Sequence, residues 1–219
     1  MNNKIIVAPL NWGLGHATRC VPIIRFLLAN NYTPILASDG ISLKFLRKEF
    51  LDLESCELPS YGISYSKNLK LSLLFQTPKV LNAIRKEKQL IADFISKRKD
   101  VIGIISDNRF GVRHHKFPSV YITHQLNVLS GFITFLSSAI HQNYINKFDE
   151  CWVPDTKEHS LSGKLSKAKK LSIPVKFIGA LSRFKKDELP IKNDVLIILS
   201  GIESQRKQLE ELLIEKFNY

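Results

Sequence analysis

An apolar run, Ile5-Ile6-Val7-Ala8-Pro9-Leu10, passes into Asn11-Trp12-Gly13-Leu14-Gly15-His16-Ala17-Thr18-Arg19. A helical spacing of apolar residues then runs through Val21, Ile24, Leu27 and Leu28. That order admits few folds. It reads as a buried strand, a glycine turn and the first turn of a helix. Gly13 and Gly15 let the backbone turn tightly and come close to a ligand. The start of a helix points unpaired N–H groups and partial positive charge into the same space. His16 sits there. The positive end of a helix favours the neutral ring, so a histidine in this place is poised to take a proton.

The same alternation continues along the chain. Thr33–Ser38 predicts a second strand, ending at Asp39-Gly40, and 41–50 a short helix. Residues 53–58 predict a third strand, followed by a loop rich in Tyr, Ser and Gly. Two helical segments are expected at 69–75 and 79–97, the second with Val80, Leu81, Ile84, Leu90, Ile91 and Phe94 on one face. Val101–Ser106 is a buried strand ending in Asp107-Asn108-Arg109. Ser119–Ile122 is the next, ending in Thr123-His124-Gln125. A helix over 128–148, a strand over Glu150–Val153, a short helix over 157–161 and a strand over Val175–Ile178 follow. The pattern then restarts, with a strand over Asp194–Leu199, a turn at Ser200-Gly201 and a helix over 202–217.

Repeated β-α units imply an α/β fold, a Rossmann-like parallel sheet with right-handed crossovers and helices on both faces. Ligands of such sheets bind at the carboxyl ends of the strands. His16, Asp107-Asn108-Arg109 and Thr123-His124-Gln125 all fall at expected carboxyl ends, and this convergence carries more than any one motif. The expected organisation is a first domain over 1–179, a linker over 180–193 and the start of a second α/β domain over 194–219. One strand and one helix cannot bury a core of their own.

The 219 residues carry a net charge of +12, from 32 Lys+Arg against 20 Asp+Glu, which favours an anionic partner. The three cysteines, Cys20, Cys56 and Cys151, are scattered, which argues against a zinc site or a disulfide framework and suits a reducing cytoplasm. No metal site is expected. No signal peptide is expected ahead of the first strand. The longest apolar run, Val128 to Ile140, is too short and too interrupted to span a bilayer. A soluble or peripheral cytoplasmic protein is therefore expected. Leu69, Leu71, Leu73, Leu74 and Phe75 beside Lys67, Lys70 and Lys79 offer a basic-apolar surface suited to an anionic membrane.

With those residues in view, the chain resembles bacterial glycosyltransferases of the GT-B fold. It is similar to uncharacterised members related to the peptidoglycan-precursor N-acetylglucosaminyltransferase (MurG-like) and to the monogalactosyldiacylglycerol synthases. The resembling stretches are 8–19, 105–111, 122–125, 149–155, 161–163, 178–184 and 199–206. The resemblance implies two Rossmann-like domains facing across a cleft, the N-terminal one for the acceptor and the C-terminal one for a nucleotide-sugar donor such as a UDP-sugar. It implies inverting transfer to a hydroxyl of a glycan or lipid-linked acceptor, with no cofactor and no obligatory metal. His16 then matches the general base, and Asp107 is its candidate orienting partner. Gly13, Gly15, Asn108, Arg109, Thr123, His124 and Gln125 are candidate acceptor contacts. Ser200, Gly201, Glu203 and Arg206 are candidate donor contacts. Arg19 is expected to face away from the loop in a packing role. The family continues through most of another domain after the position of Tyr219, so the chain is expected to be inactive alone.

Three other readings stand beside it. An NAD-type Rossmann enzyme would use Gly13-Leu14-Gly15 and place Asp39 on a ribose, although Thr18 occupies the third glycine position. A non-catalytic glycan or glycolipid-binding domain would need the acceptor half alone. A nucleotide-sugar epimerase of the same fold would need the second half as well. Nucleic acid is not an expected partner, since no recognised motif or aromatic-interleaved basic stripe is present.

Overall fold

The structure is a computed structural model describing residues 3–62, 69–127, 134–158, 161–166, 171–188, 190, 192–199 and 203–217. The chain divides into two compact units, Met1–Phe184 and Lys185–Tyr219.

The first unit holds β1 (Lys4–Pro9), α1 (Leu14–Ala29), β2 (Thr33–Ser38), α2 (Gly40–Glu49), β3 (Ser55–Glu57) and α3 (Leu69–Ser96). It continues through β4 (Val101–Asp107), β5 (Ser119–Ile122), α4 (Thr134–Ile145), β6 (Glu150–Val153), a 3-10 turn at Gly163–Ser166 and β7 (Val175–Phe177). The seven strands form one sheet in the order β3-β2-β1-β4-β5-β6-β7, with every pair parallel. This is the expected Rossmann-like α/β fold. The strand order reverses between β1 and β4.

Alternation along β1 shows why the sheet needs cover on both sides. Val7 packs with Ala17, Cys20, Val21 and Ile24 of α1. Ile6 and Ala8 point the other way, onto Ile91 and Ile95 of α3. A strand buried on both faces reads as an unbroken apolar run, as this one does. Each wholly buried Ile or Leu stabilises the layer by about 1.5–3 kcal/mol. A third cluster, Tyr121, Leu126, Ile145, Phe148, Cys151 and Val153, joins α4 to β5 and β6. The edge strands β3 and β7 are three residues long and only partly buried, which limits pairing with other chains.

Three expectations change. The segments 69–75 and 79–97 are one helix, α3, with Pro78 inside it. A proline removes one backbone donor, and here the helix runs through it. No helix forms at 157–158 or 161, where the chain bends, and a 3-10 turn follows at Gly163–Ser166. Residues 195–199 make no strand, and Val195, Leu196 and Ile198 are exposed. A strand exists through its neighbours' hydrogen bonds, and none of the described residues pairs with this segment. In the second unit α5 (Glu203–Phe217) does form, with Leu209, Leu212, Ile214 and Phe217 exposed. The first unit extends past Gly179 to Phe184, because Leu181 packs on the α1-side core and Arg183 lies over the Phe45 ring.

No helix among the described residues is long and apolar enough to cross a membrane. The side chains of 69–75 and Lys67, proposed above as a membrane-facing surface, lie outside the described residues. Lys79 donates to the Gly62 carbonyl at 3.1 Å.

A candidate active site at the carboxyl ends of the central strands

β1 and β4 lie side by side, with Pro9 opposite Asp107. Leu10 N–H donates to the Asp107 carbonyl at 2.9 Å, so both strands end at the same level. Their connections leave in opposite directions, which opens a crevice at this edge. The polypeptide turns from β1 into α1 through Gly13, whose φ of 75° lies in the left-handed region that glycine adopts freely. No side chain caps the helix. Cβ atoms at Gly13 or Gly15 would meet nothing within 4 Å. The chain's own packing therefore does not demand glycine at Gly15.

His16 and Arg19 lie three residues apart on α1 and share a face. Both turn to Asp107, whose side chain is wholly buried. Arg19 grips the carboxylate with two donors, Nε to Oδ2 and Nη2 to Oδ1. His16 Nδ1 lies 2.9 Å from Oδ1 and 2.8 Å from Arg19 Nη2. These contacts ask opposite things of Nδ1, since the carboxylate needs an N–H there, whereas the guanidinium, like Asn108 Nδ2 at 3.5 Å, needs a lone pair. The carboxylate decides, because a buried anion gains most from another donor. Nδ1 then carries the proton, and the lone pair is on Nε2. Among the described residues Nε2 has no hydrogen-bond partner.

Burial alone would push the Asp107 carboxyl up. The Arg19 hydrogen bonds and charge, then those of His16, more than reverse this and hold its pKa below the ordinary carboxylate value. Asp107 is therefore an anion at neutral pH. The Cys20 thiol, 3.7 Å from Oδ2, is pushed well up by burial and by Asp107, which leaves it a neutral neighbour.

Arg19 also reaches across the crevice. Its Nη1 donates to His124 Nδ1 at 3.3 Å. Burial, then the charges of Arg19 and His16, lower the His124 pKa. His124 is thus neutral, with Nδ1 accepting and its proton on Nε2. The expectation that Arg19 faces away is wrong. The i, i+3 relation to His16 carried the signal, since any contact made from that face of α1 brings both residues.

Asn108 has φ 58°, a left-handed conformation that asparagine tolerates better than most residues. Its Nδ2 donates to Asp107 Oδ1 at 3.2 Å, and Tyr121 OH donates to its Oδ1 at 3.2 Å. Thr123 is buried and accepts the Gln125 N–H at 3.0 Å, a local turn that fixes His124 between them. The Gln125 carbonyl accepts from His141 Nε2 at 2.7 Å.

Arg109 does not join this group. Its side chain is wholly buried behind the turn at Asn108, with Nε donating to the Pro9 carbonyl at 3.0 Å. Nη2 pairs with Asp39 and Nη1 with Glu87, whose side chain is also fully buried. Glu87 also accepts from Tyr61 OH at 2.8 Å and from the Gly111 N–H at 3.2 Å. The expected acceptor contact from Arg109 gives way to a structural one. Asp39 goes with it: its second oxygen accepts from Asn11 Nδ2 at 3.1 Å, and the residue is buried. The carboxylate that an NAD-type reading would place on a ribose is thus bound to Arg109 and Asn11.

Among the proposed donor contacts, Ser200 and Gly201 lie outside the described residues, as does the side chain of Glu203. Arg206 lies on α5 in the second unit. Among the described residues, no group of three or more His, Cys, Asp and Glu side chains is placed to hold a metal ion.

No protein-family model matches the chain, and neither does any curated protein. Solved structures do match. A UDP-glucosyltransferase from Polygonum tinctorium, capable of glucosylating indoxyl and solved with 3,4-dichloroaniline, has a TM-score of 0.54 at 11% identity, over 87% of this chain and 55% of its own. A Medicago truncatula protein complexed with UDP-glucose gives 0.55 at 14% identity, over 98% and 57%. The apo form of UGT2 from Phytolacca americana gives 0.50 at 10%, over 81% and 52%. The likeness is one of fold. The chain spans little more than half the length of these proteins.

Proposed function

We propose that the chain is the acceptor-binding half of a glycosyltransferase that moves a sugar, with inversion, from a UDP-sugar to a hydroxyl of a glycan or lipid-linked acceptor. The His16–Asp107 pair at the strand-order reversal carries this reading. In the proposed reaction His16 Nε2 takes the proton of the acceptor hydroxyl as that oxygen attacks the anomeric carbon. The bond from that carbon to the nucleotide breaks, and the nucleoside diphosphate leaves with the electron pair. Asp107 holds the Nδ1 proton, keeps the ring in the basic tautomer and stabilises the imidazolium that forms. Arg19 keeps Asp107 ionised and orients His124. His124 offers an Nε2–H to an acceptor oxygen, so the two histidines present one lone pair and one proton to the ligand. The open space at Gly13 and Gly15 supports close approach of a sugar or its carrier.

In this reading Ser200, Gly201, Glu203 and Arg206 begin the donor-binding domain. The protein works in the cytoplasm or on the inner face of the membrane. The solved structures support the reading by fold, and the Medicago truncatula one was complexed with UDP-glucose.

The test is nucleotide release and sugar transfer from a panel of UDP-sugars to glycan and lipid acceptors, with the chain alone and joined to a donor-binding domain. Turnover by the joined form that falls about 10²–10⁴-fold in His16→Ala supports the base assignment. Acceptor binding without nucleotide release, unaffected by His16→Ala, favours a non-catalytic glycan-binding domain instead.

A further inference from the structure

A cavity of about 190 Å³ lies between α3, α4 and the connection that follows β4. None of His16, Asp107 or His124 lines it. Four cations do: Arg85 and Lys88 from α3, Arg113 from the connection, and Lys147 just past α4. Phe110 and Tyr144 supply its aromatic wall. Arg85 and Lys88 are three residues apart and share a helix face. Three separate chain segments thus bring like charges together, an arrangement that repels itself unless an anion joins it.

Among the described residues no carboxylate pairs with these cations. Among the described residues Arg85 and Lys88 make no hydrogen bond and no ion pair. Arg113 donates only to the Lys147 carbonyl, at 3.5 Å. Lys147 Nζ sits 4.5 Å from the centre of the Tyr144 ring. Glu87, next to Lys88 in sequence, is fully buried and bonded to Arg109, Tyr61 and the Gly111 N–H. Arg113 is half-buried, and its desolvation, with no compensating partner, lowers its pKa.

We propose that this cavity is a second binding site, which takes a compact phosphoryl group, a phosphomonoester or diphosphate. Two arginines present forked donors to the phosphate oxygens, and two lysines add point charge. The Phe110 and Tyr144 rings form one side of the site, and Lys147 already rests over the Tyr144 ring. The volume lies below the roughly 300 Å³ at which pockets for drug-sized ligands begin. It excludes a whole nucleotide-sugar, so the site is distinct from the proposed donor site and does not depend on the transferase reading. The phosphoryl group has two possible sources, a soluble metabolite or a lipid headgroup.

The experiment is calorimetric titration of the full chain with inorganic pyrophosphate at ionic strength held constant with NaCl. A parallel arm measures co-sedimentation with phosphatidylcholine vesicles containing phosphatidic acid. The expected result is one saturable site, weakened at least tenfold in Arg113→Gln and in the double variant Arg85→Gln/Lys88→Gln. The same change of charge on α2, Lys44→Gln/Lys48→Gln, leaves it intact, as does His16→Ala. Loss in the pyrophosphate arm identifies a soluble ligand, and loss in the vesicle arm alone identifies a headgroup. Arg85 and Lys88 are exposed, so their double variant keeps the test valid if Arg113→Gln fails to fold. Binding to neither probe, or binding reduced equally by the α2 pair, overturns the proposal.

Discussion

Two buried ion clusters flank Asn108. On one side Asp107 has the Arg19 guanidinium almost to itself, with His16 adding a third donor. On the other side the Arg109 guanidinium is divided between Asp39 and Glu87. The consequences are opposite. Burial would push both Asp107 and Glu87 up. Asp107 ends below its ordinary value, whereas Glu87 ends above it despite Arg109, Tyr61 and the Gly111 N–H. One cation matched to one anion is neutral and holds its charge. At Glu87 the cost of burial outweighs the charge and hydrogen bonds of a guanidinium shared with Asp39. The two clusters also differ in access. His16 and Arg19 keep 15% and 14% of their side-chain surface, while Arg109 and Glu87 keep none. The matched cluster is open to a ligand, and the shared one staples α3 to the sheet.

The strongest way to break this contrast is to remove each guanidinium in turn. Arg109→Met strands two buried carboxylates and is expected to cost about 3–5 kcal/mol, enough to unfold a domain of ordinary stability. Arg19→Met is expected to cost less, because His16 still serves Asp107 and water reaches the rim. Urea denaturation measures both, and equal costs would erase the distinction. Next in size are the glycines. A Cβ at Gly111 would collide with the Ile84 carbonyl and come within 2.6 Å of Glu87 Cβ. Gly111→Ala is therefore expected to lose about 1–3 kcal/mol. Gly15→Ala, which meets nothing, should melt within about 1 kcal/mol of the parent or above it. A melt in which Gly15→Ala is the worse of the two would show that the crevice is already packed.

The pH profile of stability sharpens the comparison further. Glu87 has a raised pKa, so its contribution is full below the ordinary glutamate value and fades as pH rises through the raised one. Asp107 has a lowered pKa, so its contribution is full above the ordinary aspartate value and fades as pH falls through the lowered one. Glu87→Gln should flatten the limb on the neutral side, and Asp107→Asn the limb at acid pH. Denaturation midpoints from pH 2 to 8 would find both or neither. The smallest effect belongs to the hinge between the clusters. Asn108→Gly keeps the positive φ without steric cost but loses the hydrogen bonds from Tyr121 and to Asp107, for a net loss of about 1 kcal/mol. A larger loss would mean that Asn108 couples the two clusters.

The sheet was legible because apolar runs alternated with helical spacings, and His16 and Asp107 were legible because both end such runs. Arg109 was misread from the same rule. Its distance from the strand end is right, but the left-handed turn at Asn108 sends its side chain to the opposite layer. Its partner did leave a trace. Ile84, Glu87, Ile91 and Phe94 follow one helical stripe, so an acid stood in an apolar position and needed a buried cation. The failed strand at 195–199 has a different cause. Its apolar spacing is genuine, but pairing is supplied by other strands and is not encoded in the segment itself.

The place of β1 in the sheet has a consequence in time. One edge of β1 is satisfied once β2 has been made, and the other waits for β4, roughly 70 residues later. At about 5–20 residues per second a ribosome takes on the order of ten seconds to cover that interval. Throughout it, a strand that the finished sheet buries on both faces presents an open edge to every other nascent chain nearby. The closing event that hides it is the arrival of β4, which also delivers Asp107 to His16. Protection from aggregation and assembly of the candidate active site are therefore one step, and a chain halted before Val101 has neither.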